Sequence, residues 1–103
     1  MTTDEFFRYI DTFFAMGSNL IRRKNTDYAG TDNPFRNFYV SEHIGITDAK
    51  TALLVRMADK MSRIANLLKQ EAAVSDESIH DTLQDLSNYS AILSALIADE
   101  RKT

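Results

Sequence analysis

The sequence has no cysteine and no tryptophan, and only one proline and three glycines in 103 residues. Without cysteine, a disulfide scaffold, a zinc finger and thiol catalysis are excluded. No apolar run approaches the ~20 residues needed to cross a bilayer. The N-terminus carries Asp4 and Glu5 and no cleavable apolar segment, so a cytoplasmic location is expected. An excess of positive charge is also missing. Twelve Lys and Arg stand against fifteen Asp and Glu, a net charge of −3, and the isoelectric point is near 5.2. That balance argues against general duplex binding, which relies on a basic face to neutralise phosphates. What is present is apolar: 44% of the chain, too much for a disordered segment. The length is that of a single domain, 1–103. A chain of this size buries roughly 60–68% of its unfolded surface, a modest core that self-association would help.

Three segments have helical periodicity, and no strand pattern competes with them. The first runs from about Asp4 to Lys24. Thr2 and Glu5 have capping-box spacing, and Arg22, Arg23 and Lys24 place positive charge at the expected helix end. Phe6, Ile10, Phe13, Gly17 and Leu20 form one stripe, with Phe7, Phe14 and Ile21 beside it, an unusually wide apolar face. The second segment runs from about Asp48 to Gln70, with Thr47 or Asp48 as N-cap. Leu54, Met57, Met61, Ile64, Ala65 and Leu68 follow helical spacing, and Met16, Met57 and Met61 read as core. The third runs from about Asp76 to Arg101, with Ser75 as N-cap and Val74 and Ile79 spaced as a hydrophobic staple. Its expected inner stripe is Ile79, Leu83, Leu86, Ser90, Leu93 and Ile97.

The connection Asn25–Ile46 is long, yet it carries Tyr28, Phe35, Phe38 and Tyr39. Pro34 is suited to open a short helix through about Glu42. The expected fold is therefore all-α: three long helices plus a short one in the first connection, completing a helical bundle by oligomerisation. The aromatic face of the first helix is the expected contact. Helix-one residues Phe7, Phe14 and Ile21 left uncovered would instead dock on another protein.

Some polar residues fall where apolar ones belong. At about 100° per residue, Asp85 lies among Ile92, Leu96 and Tyr89, inside the apolar arc of the third helix. A buried carboxylate needs a partner. Lys60 falls between Leu53 and Leu67 on the second helix, with Arg56 and Arg63 near it. Either Lys60 or Arg63 pairs with Asp85 as a structural salt bridge, or these groups line a polar pocket. In the second case Asp81 and Asp85, at i,i+4, would hold Mg²⁺ or a sugar hydroxyl, and the cations would meet phosphate. Lys24, Asn25, Asp27 and Tyr28, ahead of a turn built by Asp27 and Gly30, would join this site together with Asn37, Asn88 and Tyr89. Tyr28 or Phe38 would stack on a base, whereas Phe35 reads as a plug for the open end of the bundle. His43 and His80 have no ligand spacing. No phosphate loop and no nucleophile elbow occur.

The strings KNTDYAG (24–30), NPFRNF (33–38), RMADKMSRI (56–64) and DESIHDTLQDLSNY (76–89) resemble the phage and bacterial nucleotide-modification-associated domain, the first of that name. A more distant likeness is to all-α nucleoside-triphosphate pyrophosphohydrolases of the MazG and dimeric dUTPase group, whose second acidic motif resembles Asp81 to Asp85. Their paired-glutamate motif is missing here. The resemblance implies a nucleotide or nucleotide-derived ligand, which a phage protein would bind to sequester an immune signal inside the host. The alternatives are a Mg²⁺-dependent pyrophosphohydrolase and a module acting on a host partner.

Overall fold

The computed structural model describes residues 1–28, 33–70 and 72–102, with all their side chains except those of Tyr28 and residues 72–76. Helix α1 spans Thr3–Tyr28. A 3-10 turn, Arg36–Tyr39, leads into the one-turn α2, Val40–His43. Two long helices follow, α3 (Ala49–Leu67) and α4 (Ala72–Glu100). Among the described residues there is no strand, so the chain is all-α.

The helix starts follow local chemistry. Thr2 Oγ1 accepts from the Glu5 amide at 3.1 Å, the capping contact its spacing predicts. Asp48 caps α3 by accepting from the Thr51 amide at 2.6 Å. Two boundaries differ from expectation. Helix α1 continues past Lys24 to Tyr28, so the Arg22–Lys24 cluster sits short of the end. No breaker occurs before Gly30, and Thr26 Oγ1 bonds back to the Arg22 carbonyl at 3.0 Å within the helix. Helix α4 begins at Ala72, which places Ser75 inside it rather than at its cap. Ala72 and Ala73 are strong helix formers and extend it backwards. The expected staple of Val74 involves a side chain outside the described residues, as does the turn at Gly30. Gly45 (φ 80°) ends α2 in the left-handed region and donates to the Glu42 carbonyl.

Helices α3 and α4 run antiparallel. Lys50 pairs with Glu100 and Lys60 with Asp85, so one helix ascends as the other descends. Their seam holds the core, Ala49, Leu53 and Leu96, walled by Phe35, Phe38, Tyr39, Tyr89, Ile92 and Leu93. Of the expected inner stripe of α4, Leu93 packs on the core, but the stripe as a whole is rotated from it. The arc of Asp85, Tyr89, Ile92 and Leu96 faces the core, while Leu83 and Ser90 are exposed. Met16 and Met61 are also exposed, contrary to a core role; each is about three-fifths accessible (61% and 62%). Helical spacing marks an apolar face, but it does not say which neighbour covers that face.

Helix α1 lies against α4 through Gly17. A Cβ there would stand 2.5 Å from Gln84 Nε2 and 2.7 Å from Asn88 Oδ1, so these two α4 side chains occupy the space that glycine leaves open. Gln84 Nε2 is buried without a hydrogen-bond partner at this crossing. Leucine is a better helix former than glycine by roughly 0.8 kcal/mol, but overpacking costs about 1–3 kcal/mol. Gly17→Leu is expected to lower stability in urea unfolding, and a gain would show that α1 is not held at this crossing.

The far end is closed by a charged cluster. Glu100 accepts from Lys50 and, at 3.2 Å, from the Tyr39 hydroxyl. The Lys50 hydrogen bond holds the Glu100 carboxyl below its usual range and raises Lys50. Desolvation, then the nearby Glu100 charge, raises the Tyr39 phenol. A lowered carboxylate stabilises the fold above its unfolded value of about 4.3 and loses that effect as pH falls through the folded value. The raised Lys50 contributes below about 10.4 and is lost above its folded value. Glu100→Gln should therefore lower Tm at neutral pH, with the gap from the parent closing as acid protonates Glu100. A gap that persists unchanged at pH 2 would rule the pair out as its source.

Candidate functional site

A cleft of about 650 Å³ opens where α1, the 34–38 segment and α4 converge. Helix α1 contributes Ile21, Lys24 and Asn25. The connection brings Pro34, Phe35, Asn37 and Phe38. Asn25 Nδ2 donates to the Pro34 carbonyl at 2.8 Å, which fastens this segment to α1. Asn33 Oδ1 accepts from the Phe35 amide at 3.0 Å and sets the local turn. Helix α4 supplies Asp85, Asn88, Tyr89 and Ile92, with Ala91 and Ala95. The two alanines are four residues apart on one helix face, and their small side chains leave room for the cleft.

Arg56 enters from α3, its guanidinium carbon 5.6 Å from the centre of the Phe38 ring. This cation–π contact fixes a charge at the edge of an otherwise mainly apolar space. Arg56 and Tyr89 also line a second, polar cleft of about 680 Å³. There Arg56, Lys60 and Arg63 line the space with Asp59, Ser62, Asn66 and Gln70, Lys60 being paired with Asp85 as well. The two spaces therefore share a wall, one suited to a planar apolar group and the other to an anion.

Asp85 sits in the first cleft with a cation at each oxygen. Lys60 Nζ lies 3.1 Å from Oδ2, and Lys24 Nζ 4.0 Å from Oδ1. The expected partnership of Lys60 with Asp85 is thus present, and Arg63 is left to the second cleft. Asp81 is exposed and lines neither cleft. Among the described residues no three carboxylate, imidazole or thiol groups gather where they could hold a metal ion. As arranged, Asp85 has ammonium groups where a cation would otherwise bind.

Of the residues singled out from sequence, Lys24, Asn25, Asn37, Arg56, Asp85, Asn88 and Tyr89 meet in the first cleft. Lys60 and Arg63 join Arg56 and Tyr89 in the second. Asp27 is exposed and lines neither, and the side chain of Tyr28 lies outside the described residues. Phe35, expected only as a plug, packs on the core and also lines the cleft. Ile21, Ile92 and the two alanines were not singled out as site residues. The paired alanines were the one readable signal.

The chain falls in the all-α class, with a mainly apolar cleft and a polar, basic cleft side by side. Within it, the chain belongs to the family of nucleotide modification associated domain 1, whose model matches residues 24–98. That span includes every residue named above in the two clefts except Ile21. No curated protein and no solved structure matches the chain.

The Lys60–Asp85 pair is about three-quarters buried on both sides. Removing one partner of a buried pair leaves an uncompensated charge, whereas removing both does not. Lys60→Met and Asp85→Leu should each lower stability, by about 1–3 kcal/mol, and the double variant should lose less than the two together. A urea-unfolding double-mutant cycle reads this; strict additivity would show that the pair is not coupled.

Proposed function

We propose that the protein binds a nucleotide or a nucleotide-derived small molecule. Its base lies in the apolar cleft against Phe38 and Tyr89, and its phosphates lie over Arg56, Lys60 and Arg63. The observation that carries this reading is the shared wall of Arg56 and Tyr89 between an apolar and a basic space. The volume of the first cleft falls within the range of small-molecule sites. Aromatic stacking on a base contributes about 1–3 kcal/mol, and guanidinium groups pair with phosphate oxygens in a fixed geometry. The family name points in the same direction.

Binding without turnover is favoured over Mg²⁺-dependent hydrolysis because Asp85 is engaged by Lys60 and Lys24. In a phage setting such a binder would sequester a nucleotide immune signal in the host. The exposed Phe6, Phe7 and Phe14 of α1 support a separate apolar contact there, with a host partner or another copy of the chain.

Calorimetry with mononucleotides, cyclic dinucleotides and ADP-ribose derivatives tests the proposal. Arg56→Ala and Tyr89→Ala should each weaken the best ligand by about tenfold or more, the loss of roughly 1.4 kcal/mol. Exposed Lys102→Ala should leave it unchanged. Absence of binding across the panel would overturn the reading.

A further inference from the structure

A second feature is independent of the clefts. Leu54, Ala58, Met61, Ala65 and Leu68 follow one another at steps of four, three, four and three along α3, the spacing of a helix-pairing seam. All five are exposed; Leu54, Met61 and Leu68 are 59%, 62% and 69% accessible. The residues nearer α4, Leu53 and Leu67, are buried. At about 100° per residue, Met61 lies roughly 160° round the helix from Arg63. The bare seam and the cleft cations thus occupy opposite flanks of α3.

Helix α4 extends this bare face. Because α3 and α4 are antiparallel, successive residues of both helices turn toward the same side of the two-helix layer. Ile79, Leu83, Leu86 and Ile97 of α4, partly exposed, therefore flank the α3 seam on the side away from the clefts. Among the described residues this apolar surface has no cover.

The order of the seam identifies its occupant. Leu–Ala–Met–Ala–Leu reads the same from either end. Two-fold symmetry requires a surface complementary to itself, and an antiparallel copy would set Met61 on Met61, Ala58 on Ala65 and Leu54 on Leu68. The alanines permit close approach and the larger residues fill the remaining space. The chain exposes 7556 Å², against about 5,900 Å² for a compact monomer of this mass. A standard interface buries about 800 Å² per partner.

We infer that a second copy of the chain packs on the α3–α4 face through an antiparallel, two-fold contact centred on Met61, forming a four-helix bundle with the clefts facing outward. This contact is distinct from the aromatic face of α1 and does not rest on the ligand reading.

Light scattering and cysteine crosslinking test it on the full chain, which has no native cysteine. The parent should run at twice the 11.7 kDa chain mass. Met61→Glu should give a helical monomer, while Phe14→Glu should remain dimeric. Met61→Cys, in a background that keeps the other seam residues, should form a covalent dimer with a short bis-maleimide. Ala58→Cys and Ala65→Cys should crosslink when mixed and only weakly alone. This holds even if Met61→Glu fails to fold. A monomeric parent, a dimer abolished by Phe14→Glu but not by Met61→Glu, or Ala58→Cys linking to itself as readily as Met61→Cys would each overturn the inference.

Discussion

The ion pair between Lys60 and Asp85 is the contact on which the arrangement turns. It fixes the antiparallel register of α3 and α4 near the middle of the layer, as Lys50 and Glu100 do at one end. Lys24 reaches the same carboxylate from α1, at 4.0 Å. One side chain thus connects all three long helices. Its burial costs solvation, and that cost is offset only while the lysines stay in place. The same requirement places positive charge beside the cleft. A protein with a net charge of −3 can therefore keep a basic pocket, because local arrangement rather than total charge decides what approaches.

The cleft is a consequence of the packing that surrounds this pair. Gly17 leaves room for the Gln84 and Asn88 side chains at one point, while Ala91 and Ala95 leave space beside α1 at another. Phe35 and Phe38 close the cleft from the connection and complete the core at the same time. Asn25 ties that connection to α1. Two aromatic residues of the long inter-helix segment thus wall a cavity as well as pack on the core.

Much of this was readable from residue order, and the rest was not for identifiable reasons. Asp85 stood out as a carboxylate in an apolar arc, with Lys60 or Arg63 as its partner, because burial of charge imposes a rule that periodicity can detect; the structure selects Lys60. A cap at Thr47 or Asp48 was readable because the hydrogen bond is local, and Asp48 makes it. Ser75 misled, since a residue with good capping chemistry can be overridden by the alanines before it. Met61 misled more usefully. Its spacing marks an apolar face correctly, but the sequence of one chain does not state whether the cover comes from the same chain.

The two sides of the α3–α4 layer have opposite characters for one reason. On the side toward α1, polar groups interrupt the apolar arc, so the helices cannot close on one another and clefts remain. On the other side nothing polar interrupts the Leu54–Leu68 seam, and a helix face without polar breaks has no cheap way to stay in water. The interruption of apolar surface by charge therefore separates a face with clefts from a continuous apolar face. In a chain too short to build a large core alone, cover from outside would let both faces be kept.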